Sequence, residues 1–177
     1  VQTVFNYFIP LWSSKSNKSS DQITSVGFYG GEPLLNFRLI QKSVDFCNHL
    51  NLSNRKFKYT MTTNATLIDK HISFLIENDF QITISLDGNK QNQSYRPFQN
   101  GKNSYDKVFK NAKLIQEKYP EFFKTNISFN SVLHDRNSVE EIHQFIFKEF
   151  DKIPQISSVN NYGIKPEKVK DFEAMFK

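Results

Sequence analysis

Short runs rich in β-branched and aromatic residues alternate along this chain with longer stretches whose apolar residues recur at helical spacing. Strands are predicted at Ile23–Tyr29, Lys56–Thr62, Gln81–Leu86 and Asn126–Leu133, with a weaker one at Ile156–Asn160. Helices are predicted between them. Phe37–Leu50 carries Ile40, Val44 and Cys47 on one stripe, and Asp69–Asn78 opens on an Asp suited to an N-cap and buries Ile72, Leu75 and Ile76. Ser104–Tyr119 repeats Tyr105, Val108, Ala112 and Ile115, and Pro120 is expected to stop it. Ser138 and Glu141 fit a capping box opening a helix to about Phe150. Residues 13–21, polar and Ser-rich, read as a surface loop within a leading segment 1–22. Alternating βα units of this kind predict an α/β fold with a parallel sheet over 23–160, followed by a terminal loop and helix over 161–177.

The faces of the strands say more than their existence. Phe57, Tyr59 and Met61 share one side of the second strand, and Lys58, Thr60, Thr62 and Asn64 share the other. The third strand sets Ile82, Ile84 and Leu86 against Thr83, Ser85 and Asp87, and the fourth sets Ile127, Phe129 and Leu133 against Ser128, Asn130 and His134. A parallel sheet covered on both faces would be apolar on both. Helices are therefore expected on the apolar face alone, with the sheet curling into a full or partial barrel whose polar interior holds a ligand.

Composition narrows the class. The chain has 177 residues, 38% of them hydrophobic and 23% charged, with 18 Phe, as expected of one globular domain with an aromatic core. Its net charge of +5 leaves room for an anionic ligand, but the 23 basic residues are scattered, which argues against a nucleic-acid partner. No run is long and apolar enough for a membrane span, and no secretory leader is visible, so a cytoplasmic location is expected. The one cysteine, Cys47, can neither form an internal disulfide nor hold a metal cluster alone, and it is expected to be structural. The chain starts at Val1 and ends in an apparent helix from Pro166 to Lys177, so it is expected to be a piece of a longer protein.

Ligands of α/β sheets bind at the carboxyl ends of the strands. There the chain places Gly30-Gly31-Glu32-Pro33, Thr63-Asn64, Ser85 with Asp87-Gly88, and His134-Asp135. Each alone has an ordinary reading as a turn, a helix start or a solvated loop. Together they favour a site. An ammonium has donors only, so it needs acceptors around it. Two glycines exposing backbone carbonyls, a carboxylate and a turn-fixing proline suit a bound amine. A phosphate would want N–H donors, and neither phosphate-binding glycine pattern is present. Ser85 and Asn130 are placed to meet a ribose.

The ordered set "FYGGEPLLNF", "TMTTNATLI", "ISLDG" and the stretch through Arg96 to "NSYDKV" resembles the radical S-adenosylmethionine (SAM) superfamily from Ile23 to His134. It is most similar to the SPASM-type peptide and protein maturases related to anaerobic sulfatase-maturating enzymes. The resemblance implies a partial (β/α)6 TIM-like barrel, incomplete at both ends in this chain. It also implies SAM lying across the strand ends and a 4Fe-4S cluster held by three cysteines of a CxxxCxxC loop. Reductive cleavage of SAM to a 5′-deoxyadenosyl radical, fed by a flavodoxin or ferredoxin, would then act on a peptide or protein.

By resemblance Gly30, Gly31, Glu32 and Pro33 contact the methionine amino group, Thr63 and Asn64 belong to the same site, and Ser85 meets the ribose. Arg96 matches a basic residue near the SAM carboxylate, and Asp87 a strand-end acid that supports SAM or touches substrate. The chain departs from the pattern in lacking CxxxCxxC, so the cluster ligands are expected outside it, and in having Ala65 where a Gly usually follows Thr-Asn. Two other readings stay open: a degenerate relative that binds SAM or peptide without chemistry, and an unrelated barrel for an amine-bearing metabolite.

Overall fold

The computed structural model describes residues 1–14, 23–50, 52, 55–159 and 164–175. Five strands, β1 (Ile23–Phe28), β2 (Lys56–Thr63), β3 (Gln81–Ser85), β4 (Ile127–Leu133) and β5 (Gln155–Ser158), pair in parallel in that order and curve into a half-barrel. The predicted alternation is realised in the register. Phe28, Met61, Ile82 and Ile127 form one row of partners on the apolar face. On the other face Thr62, Thr83 and Ser128 form a second row. One residue nearer the mouth than Ile84 and Phe129, Ser85, Asn130 and Gln155 form a third.

Helices pack on the apolar face. α2 (Phe37–His49) is capped by Asn36, whose Oδ1 accepts from the Leu39 N–H at 3.3 Å, and it buries Ile40, Ser43, Val44 and Cys47. α4 (Tyr105–Lys118) buries Val108, Asn111, Ala112 and Ile115, and α6 (Val139–Phe150) buries Ile142, Ile146 and Phe150. The Ser138–Glu141 capping box is formed at the start of α6. Phe80, Ile82, Ile84 and Phe129 fill the space between sheet and helices. With α3 (Ile72–Glu77), these helices make the second layer that a half-buried parallel sheet requires.

Four elements differ from the sequence reading. The leading segment holds a helix, α1 (Gln2–Ser13), despite Pro10 within it. Its aromatic stripe explains this, since Phe5 packs on Phe46 at 5.1 Å and Trp12 on Phe57 at 5.6 Å, outweighing the hydrogen bond that Pro10 removes. α4 ends at Lys118, just before Pro120 as expected, but Pro120 then begins a separate helix that the sequence did not suggest, α5 (Pro120–Asn126), at a position where its missing N–H costs nothing. Asp69 caps no helix; it lies in a 3-10 turn, Ile68–Lys70, and α3 starts after His71. The last helix is short, α7 (Val169–Glu173), after a 3-10 turn at Pro166–Lys168. The expected Ser-rich loop and the end of the fifth strand at Asn160 fall largely outside the described residues.

Candidate functional site

At the mouth of the half-barrel β1 gives way to Tyr29, 85% exposed, and then to Gly30 and Gly31. Gly30 has φ +138°, a conformation that side chains rarely adopt, and a Cβ built at either glycine would meet nothing within 4 Å. The space above both is open. Glu32 is extended and caps the 3-10 turn Pro33–Asn36. Its Oε1 accepts from the Leu34 N–H at 3.1 Å and the Thr63 hydroxyl at 2.7 Å, and its Oε2 accepts from the Asn64 N–H at 2.8 Å. The carboxylate thus ties the end of β1 to the end of β2. An ionised carboxylate has about four acceptor directions, so Oε2 retains one for an incoming donor.

Thr63 sits on the helix side of β2 with Tyr59 and Met61, and is buried. Its hydroxyl donates to Glu32 and accepts from the Ala65 N–H at 3.0 Å, so its part in the site is to hold Glu32. Asn64 gives its N–H to Glu32, while its Oδ1 accepts from the Thr66 N–H and hydroxyl at 3.0 and 2.7 Å.

Across the sheet Ser85 pairs in register with Asn130, whose Oδ1 accepts from the Ser157 hydroxyl at 2.8 Å; below them the Thr83 and Ser128 hydroxyls lie 3.0 Å apart. A polar wall faces the interior. Asp87 does not belong to it: the residue is 2% exposed, and Arg96 grips its carboxylate through Nε at 2.6 Å and Nη2 at 2.9 Å. The Val132 N–H also donates to Asp87 at 2.8 Å, and the Asp87 N–H donates to Gln93 at 2.8 Å. This bidentate pair braces the loop after β3, and Arg96 can offer a ligand carboxylate just the N–H groups that Asp87 leaves over. His134 is likewise turned inward. It is buried, its Nδ1 accepts from the Arg136 N–H at 3.1 Å, and burial lowers its pKa, keeping it neutral at pH 7.

Two cavities flank Tyr29. One of about 320 Å³ lies over the glycine shelf, between Glu32 and Asn36, and one of about 250 Å³ lies on the polar face against Thr60, Thr62 and Thr83. The larger is near the lower size of small-molecule sites. A cluster of iron and sulfur finds no ligands here. Cys47, the one cysteine, is buried, and burial pushes its thiol up to about 11 against a weaker opposing hydrogen bond with Tyr59. Among the described residues no group of three or more His, Cys, Asp or Glu is arranged to hold a metal ion. Among them, too, no helix is long and apolar enough to cross a membrane.

Sequence reasoning missed Gln93 and Asn137. The Asn137 Nδ2 donates to the Val132 carbonyl at 2.9 Å and its Oδ1 accepts from the His134 N–H at 2.9 Å, so both residues shape loops around Asp87. Asn and Gln in loops carry no periodic signal that would have marked them.

A parallel half-barrel with helices outside, polar residues on its inner face and an open glycine turn at its mouth places the chain among the partial α/β barrels. The model of the Radical SAM superfamily matches residues 15–148, most of the chain, and the chain belongs to that superfamily. It is 41% identical over 114 residues to the uncharacterized protein MJ0907 of Methanocaldococcus jannaschii, covering 64% of this chain and 40% of that protein. It is 29% identical over 169 residues to a cysteine-type anaerobic sulfatase-maturating enzyme of Clostridium novyi, covering 87% of this chain and 43% of that enzyme. The structure of native anSMEcpe with bound AdoMet and Cp18Cys peptide superposes with a TM-score of 0.68 at 25% identity, over 84% of this chain and 44% of that one. The chain thus spans about two fifths of the length of these proteins. Family membership removes the reading as an unrelated barrel for an amine-bearing metabolite.

Proposed function

We propose that this chain is the SAM-binding wall of a radical SAM enzyme that matures a peptide or protein. The observation that carries this reading is the shelf: two glycines open to the mouth, held by a carboxylate that keeps one acceptor direction after satisfying its protein donors. In this reading the carbonyls of Gly30 and Gly31 and the Glu32 carboxylate take the SAM ammonium, Pro33 fixes the turn, and Thr63 and Asn64 hold Glu32 in place. Ser85 and Asn130 meet the ribose, Asp87 supports the site through its pair with Arg96, and Arg96 meets the SAM carboxylate with its remaining donors. Cysteines outside these residues would hold a 4Fe-4S cluster, which would supply the electron for reductive cleavage of SAM to the 5′-deoxyadenosyl radical that takes a hydrogen atom from the substrate. A flavodoxin- or ferredoxin-type donor would reduce it in the cytoplasm.

The relatives support a peptide or protein substrate, because one is a sulfatase-maturating enzyme and a structural neighbour holds a peptide. Titrating the chain with SAM while recording amide NMR shifts tests the site: perturbation at Gly30, Gly31 and Ser85 is expected, and shifts confined to other surfaces would refute it. The single, buried cysteine also suits a relative that binds without chemistry. Anaerobic iron–sulfur reconstitution of the full-length protein separates the two, since formation of 5′-deoxyadenosine requires the enzyme.

A further inference from the structure

Asn111 stands on the buried stripe of α4 between Val108, Ala112 and Ile115, and is itself 1% exposed. A primary amide in such a stripe is costly unless it is bonded. Its Nδ2 donates to the Ala65 carbonyl at 2.7 Å and lies 3.3 Å from Asp69 Oδ1. One turn earlier, the Lys107 ammonium donates to Asp69 Oδ2 at 2.7 Å. α4 therefore grips the loop after β2 at two points.

What it grips is strained. Ala65 has φ +56°, the left-handed region that a Cβ makes unfavourable, and it is fully buried. That turn sends the Ala65 N–H to the Thr63 hydroxyl, and the Asn64 N–H to Glu32. The Thr63 hydroxyl in turn donates to Glu32. A continuous line of hydrogen bonds runs from Asn111 through Ala65 to the shelf carboxylate.

We propose that Asn111 is a positioning residue for the shelf, holding the strained Ala65 turn and, through it, the Glu32 carboxylate in its ligand-ready place. The effect on SAM rests on the function proposed above; the effect on the turn does not. Glycine adopts positive φ without strain, so with Gly at position 65 the turn needs Asn111 much less.

The test uses the whole 177-residue chain. Asn111→Ala, Asn111→Ala combined with Ala65→Gly, and Ile115→Val as a control on the same stripe are compared by amide hydrogen exchange at Asn64 and by SAM affinity. Asn111→Ala should speed exchange at Asn64 and weaken SAM binding by about tenfold, the scale of one net hydrogen bond. The control should change neither, and the double variant should recover most of both. Unchanged exchange in Asn111→Ala, an equal change in the control, or no recovery in the double variant would overturn the proposal. If Asn111→Ala does not fold, Asn111→Ser is read in the same way, being too short to keep the 2.7 Å bond. Exchange that follows the expected pattern in a chain that binds no SAM would uphold the role of Asn111 and refute the SAM site instead.

Discussion

Replacing Glu32 by glutamine keeps the side chain's length and exchanges one acceptor oxygen for an NH2 group. Three protein donors converge on this carboxylate, two on Oε1 and one on Oε2, so the new NH2 must face at least one of them. The better orientation keeps oxygen toward Thr63 and Leu34 and leaves the Asn64 N–H without its 2.8 Å acceptor. A donor stranded in this way costs about 1–3 kcal/mol. Glu32 is half-buried, so water reaches the gap and the lower end applies, about 1 kcal/mol. In a domain of this size that is a fall of about 2–4 °C in Tm. A charge-assisted bond to the SAM ammonium would also be lost, weakening binding by about 1.5–3 kcal/mol, or about tenfold for each 1.4 kcal/mol. Calorimetric unfolding and SAM titration of Glu32→Gln read the two effects separately. A lowered Tm with unchanged SAM affinity would refute Glu32 as a ligand contact, and an unchanged Tm would refute it as the tie between β1 and β2. Glu32→Ala is the poorer experiment, because it removes all three bonds at once.

Other variants probe the supporting loops. Asp87→Asn strips the charge from a buried pair whose arginine side chain is 28% exposed, and should cost about 3 kcal/mol in urea denaturation, the lower end for breaking such pairs; a loss below about 1 kcal/mol would show that the pair is a surface contact. Gly88→Ala forces a Cβ to within 2.6 Å of Asn92 Oδ1 at φ +120°, so a loss of about 1–3 kcal/mol is expected by the same assay. Cys47, pushed from an ordinary 9.0 to about 11 by burial, should resist iodoacetamide at pH 8 in the folded chain and react on unfolding. Its raised pKa contributes stability that is whole below about pH 9 and fades as pH rises toward 11, so wild type should lose more stability over that window than Cys47→Ala.

Local pattern and long-range contact divide what the sequence disclosed. Strands β2, β3 and β4 and their polar interior were legible because alternation is a local property of each run, and the turn after β1 because Gly-Gly and Pro are local turn signals. The bonds to Glu32 were not legible: Thr63 and Asn64 were grouped with it at the strand ends, but they lie 31 and 32 positions away and no local pattern shows that they donate to its carboxylate. Asp87 and Arg96 are nine positions apart in a loop with no period, so their pairing emerges only from the folded chain. Asp69 looked like a helix cap by residue type, but Lys107 and Asn111 claim its carboxylate from another helix. The helix that contains Pro10 and the one that begins at Pro120 were not anticipated, since tertiary packing and helix position decide what a proline costs.

The strand order of the sheet, β1-β2-β3-β4-β5, repeats the order of synthesis. Each strand finds its neighbour already made, and no late strand must be threaded between two early ones, so the half-barrel can grow by accretion as the chain leaves the ribosome. The glycine shelf is encoded early, but its clamp comes from α4, more than forty residues after Ala65. Until that helix docks, the nascent mouth has its glycines and its glutamate but no fixed turn to aim them. Competence to hold a ligand would thus arrive later in the life of the chain than the residues that touch it.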